Sequence, residues 1–345
     1  MPPRHYSYLG ALALAIASAF AQPARAANPR VELEIASEPG FPVADGRAWT
    51  EMLTKAGFAT VRIRGGKPDD KLAIQTRGTE AAPSYLVTGA LTADGQLQLL
   101  KGRFGLGDRA KIEAWLAKLR DGGQEGITVK PEAFGLLPKQ LVAVHEALAV
   151  PVGFSTKGKR PRDVARQIAD TLSLKFITDT VGQAALASEE PVADELQGVS
   201  AGTALAAVLR PLGLVLVPEK SGSEIRLRIS DSRAAKENWP VGWPVKSNPG
   251  TTLPGLFKFL DVEIEQTPLS EAIAAIGGRL KGPLLIDHNS VARKAVDLNM
   301  KVNLPKGKTF YGRALDQLLY QAKMKSEVRI DEADRPFLWI TAGGP

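Results

Sequence analysis

No cysteine occurs anywhere in the 345 residues. The chain can therefore carry neither a disulfide nor a lipid on an N-terminal cysteine. An exported protein without cysteine fits a bacterial envelope better than it fits the small disulfide-stapled secreted domains. Histidine is almost as scarce, at three residues. With His5 close to the N-terminus, a zinc site built on His145 and His288 would need mostly carboxylate ligands, an uncommon donor set. Long apolar runs are missing beyond residue 21: no later stretch approaches the ~18 consecutive apolar residues of a membrane-crossing helix, so no transmembrane segment is expected in the mature chain. Blocks of Lys and Arg interleaved with aromatics are also missing, so nothing in the charge pattern argues for nucleic acid.

What is present begins with "MPPRHYSYLGALALAIASAFAQPARAANPR". A basic start at Arg4, an apolar run from Leu9 to Ala21 and an Ala24-Arg25-Ala26 exit have the layout of a cleaved secretory signal peptide, residues 1–26. Localisation is then exported, periplasmic or extracellular. Losing Arg4 and Arg25 lowers the formal charge from +7 to +5, an excess that suits solubility and weak attraction to anionic polymers. A hydrophobic fraction of 44% and a charged fraction of 23% are ordinary for folded chains. The length remaining is a prior for two or three domains.

Residues 31–150 read as an N-terminal α+β domain. "VELEIA" and "ATVRIRG" alternate like strands around a helix carrying Trp49, Met52 and Leu53 on one face. "KLAIQTRG", "SYLVTGAL" and "QLQLLKG" predict a meander with a "TADG" hairpin turn. The run "GDRAKIEAWLAKLRDGG" predicts a helix capped by Asp108, with Ala110, Ile112, Trp115, Leu116 and Leu119 as its stripe and Gly122-Gly123 as its stop. "PKQLVAVHEALAV" is expected to close the region, with His145 on its apolar side.

The second half repeats itself. Shifted by 108 positions, Val164, Ile168, Leu172 and Phe176 meet Ala272, Ile276, Leu280 and Leu284, and Asp179 meets Asp287. Shifted by 110, Gly202, Ala204, Leu205, Val208 and Leu209 meet Gly312, Ala314, Leu315, Leu318 and Leu319. Each copy reads strand-helix-strand, then strand-helix-strand-strand. Amphipathic helices of this kind gain stability only when their apolar faces are buried, and a small sheet with helices on one face is the simplest solution. The expectation is two homologous units, 151–230 and 259–342, each closed on its own interior and joined by a Pro/Trp-rich linker at 231–258. The fold class is α+β.

The run "VADELQGVSAGTALAAVLRPLGLVLVPEKSGSEIRLRIS", residues 192–230, resembles the short N-terminal domain of secretins and TonB-dependent receptors. Residues 295–341 resemble it too, through Gly312-Arg313-Ala314-Leu315 and Leu318-Leu319. The resemblance implies a periplasmic module that touches partner proteins and is not catalytic. No outer-membrane barrel or secretin channel follows the repeats, so they are expected not to gate a pore in this polypeptide.

The linker contains Trp239-Pro240 and Trp243-Pro244. An exposed polyproline strip offered to a partner is one reading; a linker pinned by two indoles to the repeats is the other, and the burial value of aromatics favours it. "GFSTKGKR", Gly153 to Arg160, has the spacing of a phosphate-cradling loop, but Arg160 stands where that loop needs Ser or Thr, so it reads as a basic turn before a helix. Lys157, Lys159, Arg160 and Arg162 form the densest positive cluster, a candidate for an anionic polymer. "GRFGLGD" reads as turn and cap. "DEAD" at 331–334 reads as a polar hairpin loop. In "IDHNSVARKA", Asp287-His288-Asn289-Ser290 invites a catalytic reading, yet a triad is defined by geometry, and capping of a short helix suits these residues better. Pairs such as Glu189-Glu190 and Asp194-Glu195 sit in loop-like stretches.

No catalytic, cofactor or metal residue is expected. The leading expectation is a protein-binding or assembly scaffold in the envelope, with envelope proteins as partners. The alternatives are a binder of anionic cell-wall polymer through residues 157–162, and a hydrolase with two carboxylates in a domain cleft, which a raised carboxyl pKa would signal. Candidate contact residues are Lys157, Lys159, Arg160, Arg162, Trp239 and Trp243.

Overall fold

The computed structural model describes residues 28–343 apart from 43–44, 80–81, 222–223, 247 and 281. The expected signal peptide lies outside the described residues. The protein is α+β, with several small mixed sheets and their helices.

Alternation in "VELEIA" buries Val31, Leu33 and Ile35 and makes β1 (Arg30–Ser37) an inner strand. β1 runs parallel to both β2 (Thr60–Gly65) and β4 (Ala82–Leu91), a geometry that requires crossovers between them. Helix α1 (Asp45–Ala56) makes the first of these. β3 (Ala73–Thr79), β5 (Leu97–Leu99) and β6 (Gly102–Phe104) complete a six-stranded sheet by antiparallel pairing. Trp49 and Leu53 of α1 and Ile112, Trp115, Leu116 and Leu119 of α2 (Arg109–Thr128) seal it as one core. Three details of α2 differ from expectation. Asp108 caps no helical N–H; its carboxylate accepts the Gly105 N–H at 2.9 Å and pairs with Lys111. Ala110 is exposed rather than part of the stripe. The predicted stop is a break: Gly123 sits at φ +58° against the Tyr85 ring, and helical turns resume to Thr128.

Helix α3 (Pro138–Leu148) does not close this domain. Val144 and Leu148 join the core of the first repeat instead, because the exposed run 128–133 carries the chain across to it. The first repeat then comprises α4 (Pro161–Ala169), β7 (Lys175–Thr178), α5 (Thr180–Leu186), α6 (Ala201–Leu209), β8 (Leu214–Ser221) and β9 (Glu224–Asp231). After β10 (Trp243–Pro244) and α7 (Pro249–Thr252), the second contains β11 (Phe259–Pro268), α8 (Leu269–Gly277), β12 (Leu284–Ile286) and α9 (His288–Arg293). It ends with β13 (Lys301–Phe310), α10 (Tyr311–Gln321), β14 (Met324–Ile330) and β15 (Pro336–Ala342).

The two copies share register as well as order. β7 lies parallel to β9 with Phe176 opposite Leu227; β12 lies parallel to β15 with Leu284 opposite Leu338. Hairpins β8–β9 and β14–β15 pair Leu214 with Asp231 and Met324 with Ala342. Asp179 and Asp287 each accept a backbone N–H three residues on, from Gly182 at 2.7 Å and Ser290 at 3.2 Å, and so cap α5 and α9. Even the isolated bridge Pro151–Ser200 has its counterpart in Phe259–Phe310, the first pair of a long β11–β13 ribbon. In the first copy that ribbon is irregular, held by Val152 N–H to the Val199 oxygen (2.9 Å) and Gly158 N–H to the Val192 oxygen (2.8 Å). The "GFSTKGKR" run is this arm.

The copies are not separately closed, which corrects the expectation of two independent interiors. The second sheet has two apolar faces. Leu338 and Ile340 point to α8 and α10, whereas Leu285, Phe337 and Trp339 belong to the core of the first repeat. Helix α6 fills the gap between the sheets, so nearly all its residues are buried, as a helix apolar on nearly every side must be. The layers run sheet, helices, sheet, helices. The linker is part of this stack: Trp243 and Pro244 pair with Ile330 and Arg329 at the edge of β14.

Candidate functional site

The seam between the repeats gathers all the buried carboxylates among the described residues. Asp287, 2% exposed, receives a two-pronged ion pair from Arg210 (Nε–Oδ1 2.8 Å, Nη2–Oδ2 2.9 Å). Burial alone would raise its pKa; the Arg210 fork and the Ser290 cap outweigh that and hold the carboxyl below its ordinary value. Asn289 donates to the Arg210 carbonyl oxygen at 2.8 Å. The Ser290 hydroxyl donates to the Asp287 carbonyl oxygen and accepts the Ala342 N–H, both at 2.9 Å. His288 Nε2 lies 3.3 Å from Asp194 Oδ2, and that carboxylate raises the imidazole pKa against the opposing effect of burial. Thus Asp287, His288 and Asn289 cap α9 or tie it to the first repeat, and Ser290 ties it to Asp287 and to β15.

The turn at 331–334 is not the solvated loop its composition suggests. Asp331 and Glu332 are buried. Asp331 accepts the N–H groups of Ser200, Ala333 and Arg335, each at 2.9 Å, and an ion pair from Arg335 at 3.0 Å. Glu332 accepts the Trp239 indole N–H at 2.6 Å and the Thr203 hydroxyl at 2.8 Å. Burial pushes the Glu332 carboxyl up, and these donors only partly offset it. Gly202 leaves the space: a Cβ there would overlap Glu332 Oε1 and the indole nitrogen.

The expected contact residues fall at two places. Lys157, Lys159, Arg160 and Arg162 are exposed on the irregular arm and the start of α4. Arg160 pairs with Glu189 at 2.9 Å, and Lys159 sits 4.8 Å from the Phe154 ring centre. Trp239 and Trp243 are at the seam instead. Trp239 is 3% exposed, meets Trp243 edge-on at 5.5 Å and stacks on Phe134 at 6.0 Å, while His145 lies 5.0 Å from Trp243.

As for reactive chemistry, the raised carboxyl Glu332 is closed in packing. The carboxyls of Asp194 and Glu190 border a cavity of about 70 Å³ shared with His288, well below the several hundred Å³ of a typical ligand site. Among the described residues no three His, Asp or Glu side chains converge as metal ligands would, and no helix is long and apolar enough to cross a membrane. The seam residues Asp194, Arg210, Asp331 and Glu332 were not singled out as a group by sequence. The available signal was a pair of unbroken apolar runs, "ALAAVL" in α6 and "FLWI" in β15, which mark surfaces buried on every side. Comparison with family models, curated proteins and solved structures finds no match.

Proposed function

We propose that the protein is an exported, non-enzymatic envelope scaffold whose tandem units bind a partner protein, and that the β11–β13 ribbon is the edge offered. The ribbon is the observation that carries this reading. Its two ten-residue strands pair only with each other among the described residues, so each has a free edge able to accept another strand. Beside it stand exposed aromatics: Phe259 is 71% and Phe257 49% exposed, and both contact Phe310, at 6.5 and 5.7 Å. Exposed rings grouped beside an open edge suit a protein contact. The likeness of the repeats to the short N-terminal domain of secretins and TonB-dependent receptors supports the same reading, as does the leader-like start of the chain.

The test places a photo-crosslinking amino acid at Phe259 of the full chain in the envelope of an expressing bacterium, with a second at Arg77 in the N-terminal sheet as control. A discrete adduct from 259 but not from 77, lost in Phe257→Ser, supports the proposal. Equal labelling at both positions, or none from 259, overturns it.

A further inference from the structure

A recess of about 470 Å³ opens on the linker side of the first repeat, within the size range of small-ligand sites. Four rings, Phe134, His145, Trp239 and Trp243, are among its lining residues, with Leu141 beside them. The cluster is built rather than incidental. Trp239 is fixed from behind by its indole N–H on Glu332. Trp243 is held by strand pairing to Ile330. Phe134 adopts φ +61°, ψ +13°, a left-handed conformation that bulky residues rarely take. Backbone in such a state marks a place where the surroundings dictate the side chain's position. Here it lays the phenyl ring within 28° of parallel to Trp239. The contact that holds this turn comes from Glu237, whose carboxylate accepts the Phe134 N–H.

Glu237 also lines the recess and is its only carboxylate. Aromatic faces carry negative electrostatic potential and attract cations on several sides at once. A carboxylate at the same site adds a full counter-charge. Neutral apolar ligands would use the rings but gain nothing from Glu237, and anions would be repelled by both. We propose that this recess is a binding site for an alkylammonium group, held against the half-buried rings of Phe134 and Trp243, which the buried Trp239 backs, and neutralised by Glu237. This assignment does not depend on the scaffold reading, since none of its residues belongs to the β11–β13 ribbon.

The experiment titrates the full chain with choline, following the indole N–H resonances by NMR. The control is 3,3-dimethylbutan-1-ol, the uncharged isostere of choline. Choline is expected to shift the Trp243 indole signal most and leave those of Trp49 and Trp115 in place. It should bind at least about tenfold more tightly than the isostere, in line with a desolvated cation–π site. Glu237→Gln retains an acceptor for the Phe134 N–H; it should weaken choline roughly 3–30-fold and leave the isostere unchanged. Trp243→Phe should retain more binding than Trp243→Ala. Equal affinity for choline and the isostere, an unaltered choline affinity in Glu237→Gln, or larger shifts with a neutral sugar such as N-acetylglucosamine would each overturn the assignment.

Discussion

At Glu332 the protein buries an acid whose donors are an indole N–H and a hydroxyl. The native state keeps its proton to a higher pH than the unfolded chain does. The associated stability is therefore complete below the ordinary glutamate value and is lost as pH rises through the elevated one. His288 acts in the same sense: its raised pKa contributes stability below the ordinary histidine value that fades as pH rises further. Urea midpoints measured from pH 4.5 to 8 should fall with rising pH through these groups. Glu332→Gln and Asp194→Asn should each reduce that slope. Glu332→Ala leaves two buried donors without a partner and should cost about 1–3 kcal/mol. Gly202 and Gly312 occupy matching positions in the two copies, yet their surroundings differ. A methyl at 202 collides with Glu332 and Trp239, whereas at 312 it would lie 3.3 Å from the Leu256 carbonyl oxygen. Gly202→Ala should therefore cost about 1–3 kcal/mol and Gly312→Ala clearly less, as read by chemical denaturation.

Between elements, the copies differ where they meet. β9 alternates, with Leu227 and Ile229 inward and Arg226 and Arg228 outward, because one face of its sheet meets helices and the other does not. In β15, Phe337, Leu338, Trp339 and Ile340 are all buried, because both faces are covered. The helices show the reverse: α6 is buried nearly all round, with Thr203 its one polar side chain, and α10 carries Arg313, Asp316 and Gln317 to solvent. Each copy has thus lost its one-sided pattern in the element that faces the other. Truncating Trp339 to Ala should cost about 3–5 kcal/mol and loosen the first repeat, although the residue lies in the second. Hydrogen exchange in α6 would register that loss. Breaking the ion pair across the seam with Arg210→Ala leaves Asp287 buried and uncompensated. The expected cost is about 3 kcal/mol, at the low end for such pairs because the guanidinium is 41% exposed.

These comparisons also show what was legible beforehand. Secondary structure followed from periodicity, and the 108- and 110-residue shifts fixed which strands and helices correspond. The stacking of one unit on the other was hidden for a physical reason: alignment scores similarity, while an interface between duplicated units is written in their dissimilarity. Asp331 and Glu332 read only as part of a polar hairpin loop, and only the packed position of Ser200 and Thr203 reveals their partners.

For the whole molecule, the distribution of cores sets how it should come apart. The N-terminal core shares no buried cluster with the rest, and the chain crosses over through the exposed run 128–133. Links such as Lys220–Asp121 at 3.4 Å are peripheral. Subtilisin should cut first within 128–133 and release a folded N-terminal fragment. The two repeats, by contrast, should unfold together, with Trp239 and Trp339 emission changing at one denaturant midpoint. A shortened chain ending at residue 258 should lose cooperative unfolding, because α6 would present its second side to water.

The polar exterior of α10 acts as an end-stop. Arg313, Asp316, Gln317 and Tyr320 stand where the preceding unit has an oily helix. Another module piled on in the same direction would have to desolvate those groups without compensation. Stacking a further unit on this face would require rewriting one helix surface rather than only adding sequence.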